Sequence, residues 1–146
     1  MEYAQWVTSR YIRFLALSLA LFGCSKPVEK SAMREFSGVW LYEFEGSSFL
    51  EGATEIPKSR PPYNKSAWLD YHPDQLRPGQ LINMSDKDRY DQGRRCYLTY
   101  PFLVTFSGHS INNPNGSGHM GLWASEVTVD RMISSKPLGQ PFCYSS

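Results

Sequence analysis

The sequence predicts a mainly β protein, built as a small closed or half-closed barrel with room for one short helix. Apolar and aromatic residues recur at every second position within residues 36–50 and 96–107, the period of a strand with one buried face. Aromatic residues make up 14% of the chain, alongside 10 prolines and 11 glycines. That composition suits strands joined by frequent turns better than a helical bundle. Strands with two contrasting faces leave reactive edges unless the sheet closes on itself. A five-stranded sheet backed by one helix satisfies the same pattern.

Residues 1–23 read as an export signal that precedes the fold. Arg10 and Arg13 stand before residues 14–22, an apolar run without charge. Nine helical residues cover about 14 Å, roughly half the hydrocarbon thickness. The run is too short to span and matches the apolar region of a signal peptide. It ends at Leu21-Phe22-Gly23-Cys24. This motif resembles the lipobox of bacterial lipoproteins, with Phe22 bulkier than is usual at its place. The resemblance implies that the Cys24 thiol is joined to a diacylglyceryl group and that cleavage makes Cys24 the new amino terminus. A further fatty acyl chain such as palmitate follows in that family. Two or three chains hold a protein firmly where one anchors only marginally. Ser25, where some relatives of that class carry Asp, resembles the pattern sent on to the outer membrane. The address it implies is the bacterial cell envelope, on the periplasmic face of the outer membrane.

Residues 24–35 follow as the lipidated cysteine and a polar tether, whose eleven residues after Cys24 reach roughly 35 Å if extended. Residues 36–146 are expected to form one β-rich domain. Within it, residues 36–50 read as a strand with Trp40, Tyr42 and Phe44 on one face and a bend at Gly46. Residues 52–66 hold three prolines and read as a loop. Residues 67–71 suggest a short strand, and residues 72–76 and 86–90 a helical turn each. Residues 96–107 form the clearest strand, with Phe102, Val104 and Phe106 on one face and Pro101 marking an edge or bulge. Residues 108–121 are turn-rich, and residues 123–134 give the last strand, with Val127, Val129 and Arg131 sharing a face. The spacing of Trp40, Ser48-Phe49, Trp68, residues 104–108 and Gly118-His119-Met120-Gly121 resembles OB-like domains of envelope lipoproteins.

Of three cysteines, Cys24 is claimed by lipid. That leaves Cys96 and Cys143, an even number for an oxidising compartment. A bridge between them would tie the carboxy-terminal tail to the long strand and stabilise by about 3–4 kcal/mol through loop-closure entropy. The alternative is two separate thiols.

Charge excludes one class of function. Removing residues 1–23 takes Arg10, Arg13 and Glu2 from the 15 basic and 14 acidic residues, leaving 13 of each. A neutral, exported domain lacks the basic stripe of a nucleic-acid binder, so no nucleic-acid partner is expected. The chain carries no Gly-x-Ser-x-Gly elbow, and residues 116–121 lack the Lys-Ser/Thr ending of a phosphate loop. No cofactor is implied.

The histidines are the first place to look for chemistry. Asp70, His72 and Asp74 place two carboxylates beside an imidazole, but Pro73 breaks the segment and His-Pro-Asp is an ordinary turn. His109 and His119 flank the turn-rich loop and, with Glu126, offer a zinc set of no familiar spacing; hydrogen bonding of His119 to the loop backbone is the preferred reading. Trp40, Trp68, Tyr97, Tyr100 and Trp123 are candidates for a binding groove, though aromatics at period two are mostly core. The expectation is a non-enzymatic, lipid-anchored binding or scaffolding module. Its candidate binding residues are His109, His119, Trp68 and Trp123, and its partners are the membrane and another envelope protein. The rival is a lipid-anchored hydrolase or metal-binding protein using His72, His109 and His119.

Overall fold

A computed structural model describes residues 28–71 and 90–144. The expected signal segment, Cys24, His72 and the two expected helical turns lie outside the described residues, apart from Tyr90. The strands are β1 (Glu29–Lys30), β2 (Arg34–Glu43), β3 (Gly46–Glu51), β4 (Ala67–Asp70), β5 (Tyr90–Asp91), β6 (Cys96–Tyr97), β7 (Tyr100–Ser117) and β8 (Trp123–Pro137). Strands β2, β3 and β4 run antiparallel, β4 pairs parallel with β8, and β8 and β2 each pair antiparallel with β7. The order β7-β2-β3-β4-β8 therefore returns to β7 and closes a five-stranded barrel. This is the OB-like topology, and closure removes every long edge. Strand β1 adds onto β7, and β5 pairs with β6 in a separate ribbon.

The period-two pattern fills the barrel. Phe36, Trp40, Phe49, Leu69, Phe102, Phe106 and Val127 are all buried in one cluster. Phe36 stacks on Phe106 with centroids 5.3 Å apart, and Phe102 lies 5.3 Å from Trp40. The indole N–H of Trp40 donates to Ser47 Oγ at 3.0 Å, and that hydroxyl donates to the Leu69 carbonyl at 2.7 Å. A polar chain thus crosses the core with its donors satisfied.

Several expected boundaries move. Residues 36–50 are a hairpin and not one strand: Phe44 and Glu45 form a tight turn, with Glu45 at φ 54°. Phe44 leaves the aromatic face and is 43% exposed. Pro101 does not split its strand; the break falls at Leu98 and Thr99, and Pro101 sits inside β7 opposite Leu41. Its missing N–H is tolerated because the β8 ladder begins only at Phe102. Strand β7 runs on through the expected turn region to Ser117, and the true turn is residues 118–122. On β8, Arg131 does not follow Val127 and Val129 inward. Asp130 and Ile133 are extra residues in the ladder, since Gly108 pairs with Val129 but Ser107 with Arg131, and Phe106 with Met132 but Thr105 with Ser134. Each bulge flips the side-chain parity, so Met132 packs on the core instead.

The tether is shorter than its length suggests. Glu29 and Lys30 pair with Asn112 and Ile111 of β7. Ser31 N–H donates to the Ser110 carbonyl, and Ser110 N–H to Ser31 Oγ, each at 2.9 Å. Cys96 and Cys143 lie at disulfide distance, with Cα atoms 6.2 Å apart, inside the range a bridge requires. The tail they hold also pairs Thr99 with Phe142 through reciprocal backbone bonds.

Candidate functional site

The site lies where two turns meet on the outside of the barrel. One is the β2–β3 turn carrying Phe44 and Glu45. The other is the tip of the β7–β8 hairpin, residues 117–122. The tip bends over the outer face of β3 and β4, and glycine allows this. Gly118 (φ 68°) lies flat on Trp68, where a Cβ would come within 2.4 Å of the indole. Gly116 (φ 85°) leaves no room for a Cβ against the Gly121 carbonyl. Behind the tip, Trp123 is fully buried; its N–H donates to Ser48 Oγ at 3.2 Å, and Trp68 meets it edge-on at 4.9 Å. Tyr63, from the loop preceding β4, closes the other side of Trp123 at 4.6 Å.

This tip reaches the β2–β3 turn directly: His119 Nε2 stands 3.6 Å from Glu45 Oε2. Between them opens a cleft of about 290 Å³. Of the eight large apolar side chains that are exposed among the described residues, five line it: Phe44, Tyr63, Tyr97, Met120 and Leu122. Phe44 and Tyr97 stack with centroids 4.5 Å apart and planes at 15°, and Tyr90 extends the row edge-on at 5.0 Å. Exposed apolar area gathered in one place marks an interaction surface, whereas scattered single residues do not.

Two carboxylates line the cleft. Glu43 pairs with Arg60 and accepts a hydrogen bond from Thr99 Oγ1 at 3.1 Å, and Glu45 faces His119. Tyr144 closes the back with Arg60 5.5 Å from its ring centre. Burial pushes its phenol up to about 12, with the Arg60 charge opposing and the Glu43 charge adding.

The candidates expected from sequence divide between two places. Trp68, Trp123 and His119 come together at the hairpin tip. His109 does not join them: it is buried on β7, its Nδ1 3.3 Å from Asp130 Oδ2 at the first β8 bulge. Trp40 and Tyr100 are barrel core, while Tyr97 lines the cleft. Glu126 works as a structural anchor for the tip. Burial pushes its carboxyl above the ordinary range, the Asp70 charge adds to this, and a hydrogen bond from the Gly118 backbone and the nearby His109 act the opposite way. Among the described residues, no three His, Cys, Asp or Glu side chains converge as a metal site. No helix among them is long and apolar enough to cross a membrane.

Sequence reading missed Phe44, Tyr63, Met120 and Leu122. Only the last two carried a signal, as large apolar residues inside a Gly-rich loop with no strand face to serve. No protein-family model, curated protein or solved structure matches the chain significantly.

Proposed function

We propose that the protein is a lipid-anchored envelope protein, held by acyl chains on Cys24, whose OB-like barrel acts as a binding or scaffolding module through the aromatic cleft. The observation that carries this reading is the cleft itself. Five exposed apolar side chains meet there, and beside them Glu43 pairs with Arg60 while Glu45 stands 3.6 Å from His119. Exposed apolar area gathered in one place favours contact with an apolar or amphipathic surface. The placement of Cys96 against Cys143 supports the compartment, because disulfides persist outside the reducing cytosol.

Two measurements test the reading. Metabolic labelling with a fatty acid should mark the wild-type chain, and Cys24→Ser should abolish the label and leave unprocessed precursor; label persisting in the variant removes the anchor. Protein purified without chelator should hold no stoichiometric zinc. Bound zinc that disappears in both His109→Ala and His119→Ala would replace the binding module with a metal protein.

A further inference from the structure

We infer that the partner of this cleft is the membrane interface: the β7–β8 tip, with Met120 and Leu122 foremost, seats in the surface of the bilayer that holds Cys24. The inference rests on the lipid anchor proposed above and names the partner of the same cleft.

The chain's own connectivity is the first argument. Glu29 is already fixed to β7, so Cys24 lies at most five residues, about 18 Å, from a rigid point on the barrel. That point is beside the tip. Glu29 shares a hollow of about 630 Å³ with Asn112, Asn115, Gly121 and Leu122. Leu122 belongs to both this hollow and the aromatic cleft. An anchor so short, attached on this side, turns the tip toward the lipid and the far end of β8 away from it.

The chemistry of the tip is the second argument. Met120 is 81% exposed and held at φ 56°, a left-handed conformation that a side chain normally avoids. No core packing compensates for it within the described structure. Val28, next to Glu29 in the chain, is also exposed, which adds an apolar group at the attachment point. Tyr63 and Tyr97 stand behind them, amphipathic rings of the kind found at headgroup level. Glu43 and Glu45, which would resist approach to lipid, face Arg60 and His119. Two or three acyl chains already anchor firmly, so this second, weaker contact serves to orient the domain on the surface.

The test compares the mature lipoprotein carrying Met120→Trp with one carrying Ile133→Trp. Both positions are exposed, and they lie ten strand residues or more apart along β8 and its turn. Each is reconstituted in vesicles of phosphatidylethanolamine and phosphatidylglycerol with brominated acyl chains, and the mass of the processed polypeptide establishes acylation at Cys24. Circular dichroism shows that each variant keeps its strands. After subtraction of the wild-type emission, the indole introduced at 120 should lose about half its emission to bromine, as expected for a group buried roughly 5–10 Å into the interface. The one introduced at 133 should not be quenched. An acylated protein with equally weak quenching at both positions overturns the seating and leaves the anchor standing. A mature chain without acylation removes the anchor and the inference with it. A blue shift at 120 without bromine quenching, in a sample that sediments as a dimer, assigns the patch to a second copy and overturns the inference.

Discussion

Ser47 shows how a single hydroxyl holds this core. It accepts from the Trp40 indole and donates to the Leu69 carbonyl, joining three strands across the barrel. Ser47→Ala leaves a buried indole N–H without its acceptor, and we expect a loss of about 1–3 kcal/mol in urea denaturation. Glu126 makes a different case. Its carboxyl sits above the ordinary range because burial disfavours its charge. The folded state therefore binds its proton more tightly than the unfolded state does. Its contribution is most favourable below the unfolded carboxylate value and is lost as pH rises through the raised folded value. Glu51 and Asp91 have the opposite sign, held low by Arg34 and Arg94, and act at more acid pH. Glu126→Gln should therefore flatten the decline in stability from the ordinary carboxylate range upward and leave the acid limb unchanged, as read from denaturation midpoints across pH. The Trp40, Phe102 and Phe106 core was legible from alternation alone. The pairing of Ser47 and the anchoring of Gly118 by Glu126 were not, because each spans a turn whose position the alternation does not reveal.

At the scale of elements, the sequence showed strands more readily than the turns between them. The β2–β3 hairpin was hidden because Phe44 and Glu45 carry none of the Asn-Gly chemistry that announces a two-residue turn. The β7–β8 turn was misplaced because the asparagines at 112, 113 and 115 suggested it early, yet they lie within an irregular stretch of β7. Parity on β8 failed at Arg131 because a bulge leaves no mark in a single sequence. Gly118 is the hinge on which the tip depends. Gly118→Ala adds a Cβ against Trp68 at φ 68° and ψ −161°, a region open essentially to glycine, which costs about 1–3 kcal/mol in backbone strain alone. We expect it to lift the tip, and with Trp123 less covered the tryptophan emission should move to the red while far-ultraviolet dichroism keeps its β signature. The tail is a second element, tied by the Cys96–Cys143 pair and by the Thr99–Phe142 bonds. Cys143→Ser opens a loop of 47 residues and should lower stability by about 4 kcal/mol. The amides of Thr99 and Phe142 should then exchange faster, because their reciprocal bonds depend on the tail staying in place.

For the whole molecule, barrel closure and the proposed attachment to a surface are linked through β7. That strand pairs with β2 and β8 to close the barrel, takes β1 on its flank, and carries the tip at its far end. A closed or half-closed barrel was legible, since two-faced strands in a short chain have few other ways to cover their edges, but the alternation does not distinguish full closure from partial. The orientation of the barrel was not, because the polar composition of residues 25–35 describes a free spacer equally well. Pairing of Glu29 and Lys30 with β7 converts more than half of that spacer into part of the domain. Inserting ten Gly and Ser residues between Ser25 and Lys26 separates these effects. It leaves the barrel, β1 and the lipobox-like Leu21-Phe22-Gly23-Cys24 unchanged, so the proposed acylation and the denaturation midpoint should match the wild type. It raises the reach from Cys24 to Glu29 from about 18 Å to roughly 50 Å, enough for the domain to rotate freely above the surface. Bromine quenching of Met120→Trp should then fall toward the value at Ile133→Trp if the short tether is what orients the tip. Quenching that survives the insertion would mean that Met120 and Leu122 hold the surface by their own affinity, with the tether serving only to keep them near it.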